Sequence, residues 1–168
     1  MASKDEIFLI DSNTLVAPNQ QYYPFDMAPG FWDQMKECIE TGRIIIASIV
    51  FDEVKAGSDD LSKWIDQFKS MTFDHKDKDI VIAIGEILDF LRNSPKYSSA
   101  AVLSWSDIKI ADPWLIAIAK TYEYTVVTFE KSSNSPNKPK IPDICDHFGV
   151  KYCDLFKMMR ALSFSLGR

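Results

Sequence analysis

Two short apolar runs open the pattern of the chain. Ile7-Phe8-Leu9-Ile10 ends in Asp11-Ser12-Asn13, and the β-branched run Ile44-Ile45-Ile46-Ala47 is bounded by Gly42 and Ser48. Neither alternates apolar with polar positions, so both predict strands buried on both faces, as in a parallel sheet. Thr125-Val126-Val127-Thr128 predicts a third strand and Val150-Lys151-Tyr152-Cys153 a weaker fourth. Between them the spacing turns helical, most clearly at Ile80, Ile84, Ile87, Leu88 and Leu91. Further helices are predicted over 31–41, 61–69, 112–122 and 155–162, and one is expected to begin near Ser48. Asp112-Pro113 reads as a helix start, with Asp as N-cap and Pro at the first helical position. Strands alternating with helices predict an α/β fold, a three-layer α/β/α sandwich around a central parallel sheet of four to five strands.

Two segments fit neither period. Residues 19–29, with Tyr22, Tyr23, Pro24, Phe25 and Pro29, read as an aromatic loop leaving the first strand. Residues 131–140, KSSNSPNKPK, are expected to form a solvated, mobile loop. No internal repeat is present.

Composition narrows the class. At 168 residues with 46% hydrophobic and 12% aromatic content, the chain suits one sizeable core, and a single domain over 1–168 is expected. No run approaches the roughly 18 apolar residues of a membrane span, and the N-terminus is polar and mixed in charge, so a cytoplasmic protein without a membrane partner is expected. Cys38, Cys145 and Cys153 are widely spaced and accompanied only by His75 and His147. That pattern suits packed, reduced thiols better than disulfides or zinc. The formal net charge of −5 argues against a broad basic binding face. It leaves open a nucleic-acid enzyme whose clustered carboxylates hold divalent cations, and it suits a basic partner.

In open parallel sheets ligands bind beyond the carboxyl ends of the strands, so the residues that follow each apolar run matter most. Asp11 follows the first run directly, Glu53 lies six residues after Ala47, and Glu130 follows the third run after Thr128-Phe129. Asp112 joins them if the chain returns to that edge before its helix begins. Converging carboxylates raise one another's pKa values unless a cation intervenes. Mg²⁺ or Mn²⁺ fits such oxygen donors, and in a two-metal arrangement one ion activates water while the other stabilises the leaving oxygen. Singly, each residue has an ordinary reading: Asp112 as an N-cap, Asp11-Ser12-Asn13 as a turn, Glu53 as a solvated helix residue rivalled by Asp52, and Glu130 as loop chemistry beside Lys131. The set of four carries the inference.

The order of these acids, with FLIDSNTL at 8–15, YYPFDMAPGFW at 22–32, IVFDEV at 49–54, LSKW at 61–64, IADPWLIAIAK at 111–120, VVTFEK at 126–131 and KIPDIC at 140–145, resembles PIN-domain ribonucleases, and more closely a bacterial and archaeal PIN-like family of uncharacterised function. The resemblance spans nearly the whole chain. It implies a metal-dependent endoribonuclease acting on RNA, with Asp11, Glu53, Asp112 and Glu130 as catalytic acids holding Mg²⁺ or Mn²⁺, and Asn13 and Thr128 supporting the ligands or their waters. Many PIN domains carry Asp where Glu130 stands, and the longer side chain leaves its contact with metal open. The resemblance also implies a possible antitoxin partner and a possible homodimer. Lys131, Lys138 and Lys140 are candidates to hold substrate phosphates or form a plain linker, and the aromatic loop either stacks bases or covers the helices. Two other readings are a catalytically silent PIN-like interaction module and a haloacid-dehalogenase-like phosphatase. The phosphatase is disfavoured by Asn13, an amide where a general acid is required.

Overall fold

The four apolar runs lie side by side as β1 (Phe8–Ile10), β2 (Ile44–Ile45), β3 (Thr125–Val127) and β4 (Tyr152–Cys153), all parallel, in the order β2-β1-β3-β4. The computed structural model describes residues 5–74 and 76–167. Outside them lie residues 1–4, which belong to the polar N-terminus, His75, weighed above as a zinc ligand, and Arg168. Leu9 pairs with Ile45 on one side and Val126 on the other, and is fully buried. A strand enclosed in this way has no polar face, which is why its sequence shows no alternation.

β2 and β3 stop short of the carboxyl ends of their apolar runs, whereas β1 and β4 start late in theirs, after Ile7 and after Lys151. At β1 the Asp11 N–H still bonds the Val127 carbonyl at 2.9 Å. The Asp11 carbonyl, however, accepts from the Thr14 N–H at 3.0 Å and the Thr14 hydroxyl at 2.6 Å. That pair of hydrogen bonds from Thr14 ends the strand and starts α1 (Asn13–Ala17), which passes into a π-helical turn over Pro18–Tyr22. The predicted aromatic loop is therefore partly helical.

α2 (Pro29–Glu40) leads to β2, and α3 (Ser48–Lys55) follows directly. The helix predicted over 61–69 divides into α4 (Asp60–Ile65), capped by Asp59, and a tighter 3₁₀ turn over Asp66–Met71 that carries the buried Phe68. Next come α5 (Lys78–Asn93), α6 (Ser99–Trp105) and α7 (Ala111–Tyr122). After β3 the chain forms α8 (Ile141–Phe148), β4 and α9 (Leu155–Ala161). α6 and α8 lie outside the predicted elements. α8 nevertheless has Pro142 in its first turn and Gly149 in the left-handed conformation after its last, a start and stop pair visible in the sequence.

The N-cap of α7 is Ile110, and Asp112 is the second residue inside the helix, which corrects the predicted capping role. The segment 131–140 is likewise no free linker. Pro139 is buried, Ser132 and Ser133 donate to Asp143, Ser98 bonds Pro136 and Asn137, and Lys96 reaches the Ser133 carbonyl. Its polar residues find partners on α8 and at the start of α6 instead of remaining with water.

The core cluster draws on the strands, on Phe31, Trp32 and Met35 of α2, and on Leu115, Ile116 and Ile118 of α7. Connections leave β1 toward β2 and β3 toward β4, in opposite directions along the sheet. Between β1 and β3 lies a switch point, where doubly wound sheets open a crevice beyond their carboxyl ends. No helix among the described residues is long and apolar enough to cross a membrane.

Candidate functional site

At the carboxyl end of β1, Asp11 is only 8% exposed. One of its oxygens accepts from the Thr128 hydroxyl at 3.0 Å. Thr128 follows β3, is anchored by its own N–H to the Cys153 carbonyl, and also accepts from the Glu130 N–H at 3.1 Å. One hydroxyl thus ties the ends of β1 and β3 together and orients two acids. Burial pushes Asp11 up to about 6; Thr128 opposes the rise, and Glu130 and Glu53 add to it.

Glu130 carries its carboxylate toward α8. One oxygen accepts from the Ile141 N–H at 3.1 Å and the other lies 3.6 Å from Lys140 Nζ. Lys140, the residue before α8, has no capping side chain of its own, so Glu130 supplies the acceptor that a helix N-terminus needs.

α3 begins immediately after β2, which keeps its first turns at the same edge. Phe51 and Val54 face the core, while Asp52 and Glu53 are exposed. Glu53, not Asp52, acts on Asp11 and Asp112. Partial burial raises its own pKa, with the Ser12 hydroxyl opposing.

Asp112 reaches this edge because α7 runs opposite to β3. A one-residue left-handed turn at Glu123 joins the last turn of the helix to the start of the strand, so the first turn lies at the strand's carboxyl end. A carboxylate in the first turn of a helix is normally favoured by the macrodipole. Here burial, then Glu130, Asp11 and Glu53, push Asp112 up to about 8, and Lys140 counters only in part. The return of the chain that the sequence reading assumed is therefore present, and the other three acids all act on Asp112.

Among the described residues, no group of three or more His, Cys, Asp or Glu side chains stands ready to hold a metal ion. The donor chemistry nonetheless fits one. Two carboxyls are held well above their ordinary pKa by burial and mutual repulsion, and the opposing cation near Asp112, Lys140, is already paired with Glu130. A hard divalent cation would relieve that repulsion through oxygen donors.

The remaining candidates divide. Thr128 bonds Asp11 as expected, whereas Asn13 is exposed and lines a neighbouring cavity. Lys140 belongs to the acid cluster, Lys131 lines the same cavity as Asn13, and Lys138 is exposed. In the aromatic segment, Tyr23 stacks on Phe31 and Phe25 on Trp32, forming a structural cover, while Tyr22 is 47% exposed. Ser12 is marked in the sequence only as part of the Asp11-Ser12-Asn13 turn, and Gln20 and Gln21 only as part of the 19–29 segment. Of the three thiols, Cys145 and Cys153 are buried and Cys38 is half-buried. All three are free, and burial pushes Cys145 and Cys153 up to about 12.

No curated protein matches the chain. Residues 8–166, from the first residue of β1 to beyond α9, match a family described as a domain of unknown function, DUF4411. With its strands, its helices and all four acids inside that match, the chain belongs to the DUF4411 family.

Proposed function

We propose that this protein is a Mg²⁺- or Mn²⁺-dependent endoribonuclease of PIN-like type. The observation that carries the reading is Asp112, inside a helix N-terminus yet pushed up to about 8 by burial and three other acids at the sheet's switch point. A plain structural acid at that helical position would be stabilised in its charged form. This one is held at a cost that a divalent cation removes.

When bound, the metal ion supplies positive charge that acidifies a water and neutralises phosphate oxygens. Asp11, Asp112 and Glu53 are the residues that would hold it, each delivered by a different element. Thr128 keeps the Asp11 carboxylate in one orientation through its hydroxyl. Glu130 acts at one remove, holding Lys140 and the start of α8 against the site. Lys131, beside Glu130, lines the adjoining cavity and would meet a phosphate there. RNA as the substrate rests on the resemblance to PIN-domain ribonucleases.

The test is cleavage of labelled structured and unstructured RNA by purified protein with Mn²⁺. Asp11→Asn and Asp112→Asn should each remove the activity while leaving the fold unchanged by circular dichroism; equal cleavage by both variants refutes the assignment. A second reading, a silent PIN-like module, is favoured by one observation, the engagement of Glu130 by Lys140 and the Ile141 N–H. Calorimetric titration with Mn²⁺ separates the two, since a silent site takes up no metal that depends on Asp11.

A further inference from the structure

Beside the acid cluster lies a cavity of ≈590 Å³ that the four carboxylates do not explain. It opens on Glu130 and is lined by three amides, Asn13, Gln20 and Gln21, and by the rings of Tyr22, Phe129 and Phe156. Its size is that of pockets that take small molecules or parts of larger ones. The π-helical turn over Pro18–Tyr22 builds one wall, carrying both glutamines and Tyr22. Such turns interrupt regular helix geometry and are frequent at functional sites.

Tyr22 sits at the edge of the structural cover, its ring 6.4 Å from that of Tyr23, and faces the cavity. Its ring lies 5.4 Å from Phe156 and 6.0 Å from Phe129, which hold it in place while 47% of the residue stays exposed. None of the three amides is hydrogen-bonded to another described residue, so each keeps a free donor and a free acceptor for a ligand. An apolar ligand would leave these amides unpaired, and a small anion would meet two acids, Glu130 and Asp154, against Lys131. A flat heterocycle with donors and acceptors along its edge satisfies both sets of groups.

We infer that this cavity is a nucleobase-reading pocket: one unpaired base of the substrate stacks on Tyr22 while Gln20, Gln21 and Asn13 read its edge, next to the acids that act on its phosphodiester. The inference rests on the proposed nuclease reading for its substrate, and it adds selectivity for a base at one position relative to the cut.

The experiment uses a panel of short single-stranded RNAs that differ at one nucleotide, with cut positions and KM and kcat measured in Mn²⁺. Binding of the same RNAs to Asp112→Asn protein is measured in parallel by fluorescence anisotropy. The wild-type chain should favour one base at one position. The Gln20→Ala/Gln21→Ala double variant should lose that preference, its KM for the favoured RNA rising to that for the others. Tyr22→Ala should raise KM by about tenfold, the range of one lost base stack, and Tyr22→Phe should restore it. An abasic nucleotide at the preferred position should mimic Tyr22→Ala. Cleavage whose base preference and KM ignore all of these changes overturns the pocket and leaves the nuclease standing. Base-selective binding that depends on Tyr22, in a chain that cuts nothing, does the reverse. Absence of both cleavage and binding removes the two together.

Discussion

The two ends of α7 treat charge in opposite ways. At its last turn Lys120 pairs with Glu86 at 2.9 Å and the Tyr122 hydroxyl reaches Asp77 at 3.2 Å, so the basic residue at a helix C-terminus meets an acid from α5. Both the macrodipole and the partner favour the charged form there. At its first turn Asp112 also has the sign the macrodipole favours, yet three further acids face it and burial pushes it up to about 8. One end of the helix is arranged for stability, and the other keeps a repulsion that stability alone would have removed. Strain of that kind concentrates at functional sites.

The most severe way to break this contrast is chemical. Asp112→Asn and Asp11→Asn should each lower RNA cleavage by about a hundredfold or more, the scale of losing one group that stabilises charge in a reaction. An exchange at the opposite end of α7 should leave the rate alone. Comparable losses from Lys120→Ala would erase the distinction between the two ends.

Next in size is the pH dependence of stability. An unfolded aspartate titrates near 3.8, while folded Asp112 holds its proton to about 8 and Asp11 to about 6. Between those values the folded chain binds more protons than the unfolded one, so without metal its stability falls as pH rises from about 4 to about 8. The loss should be on the order of a few kcal/mol. Thermal melts in EDTA should show Tm declining across that window, with Mn²⁺ restoring it at the upper end. Asp112→Asn should flatten the decline, and an unchanged slope in that variant would remove Asp112 as its source.

A finer probe is Thr128→Val, which keeps the shape but deletes both the donor to Asp11 and the acceptor for the Glu130 N–H. It should destabilise the fold by about 1–3 kcal/mol in chemical denaturation, as for a hydrogen bond to a charged group. It should also move the Asp11 titration upward in a carboxyl NMR experiment, because the hydroxyl now opposes the effect of burial. A titration that stays put would mean the hydroxyl does not favour the carboxylate.

The smallest effect belongs to Lys120→Ala. Its ion pair with Glu86 is partly exposed, with side chains 31% and 48% accessible, and removing it should change stability by less than about 1 kcal/mol. A larger change, measured by urea unfolding, would show that the C-terminal end of α7 is under more strain than its pairing suggests.

Much of this could be read before any coordinates. Continuous apolar runs without alternation mark β1, β2 and β3 because a strand covered on both faces has no polar side to reveal. Asp11 was legible for the same reason, since an acid directly after such a run has one place to be. α6 and α8 are too short to repeat an apolar helical period, although the Pro142 and Gly149 punctuation of α8 is visible in the sequence. Residues 131–140 carry a loop's composition, but Asn137 meets Ser98 across 39 residues of sequence, a bond with no local signature.

The sequence by itself determined the strands, the parallel α/β arrangement, the family match and the identities of the four acids, because these follow from local apolar period and residue chemistry. Tertiary structure alone decided that α7 brings Asp112 to the ends of β1 and β3, that Glu53 and not Asp52 acts on it, and that Tyr22 turns to a cavity while Tyr23 packs inward. Those outcomes depend on where distant elements meet. Burial and mutual repulsion, which set the pKa of Asp112, exist only once four separate stretches of chain have been packed against one another.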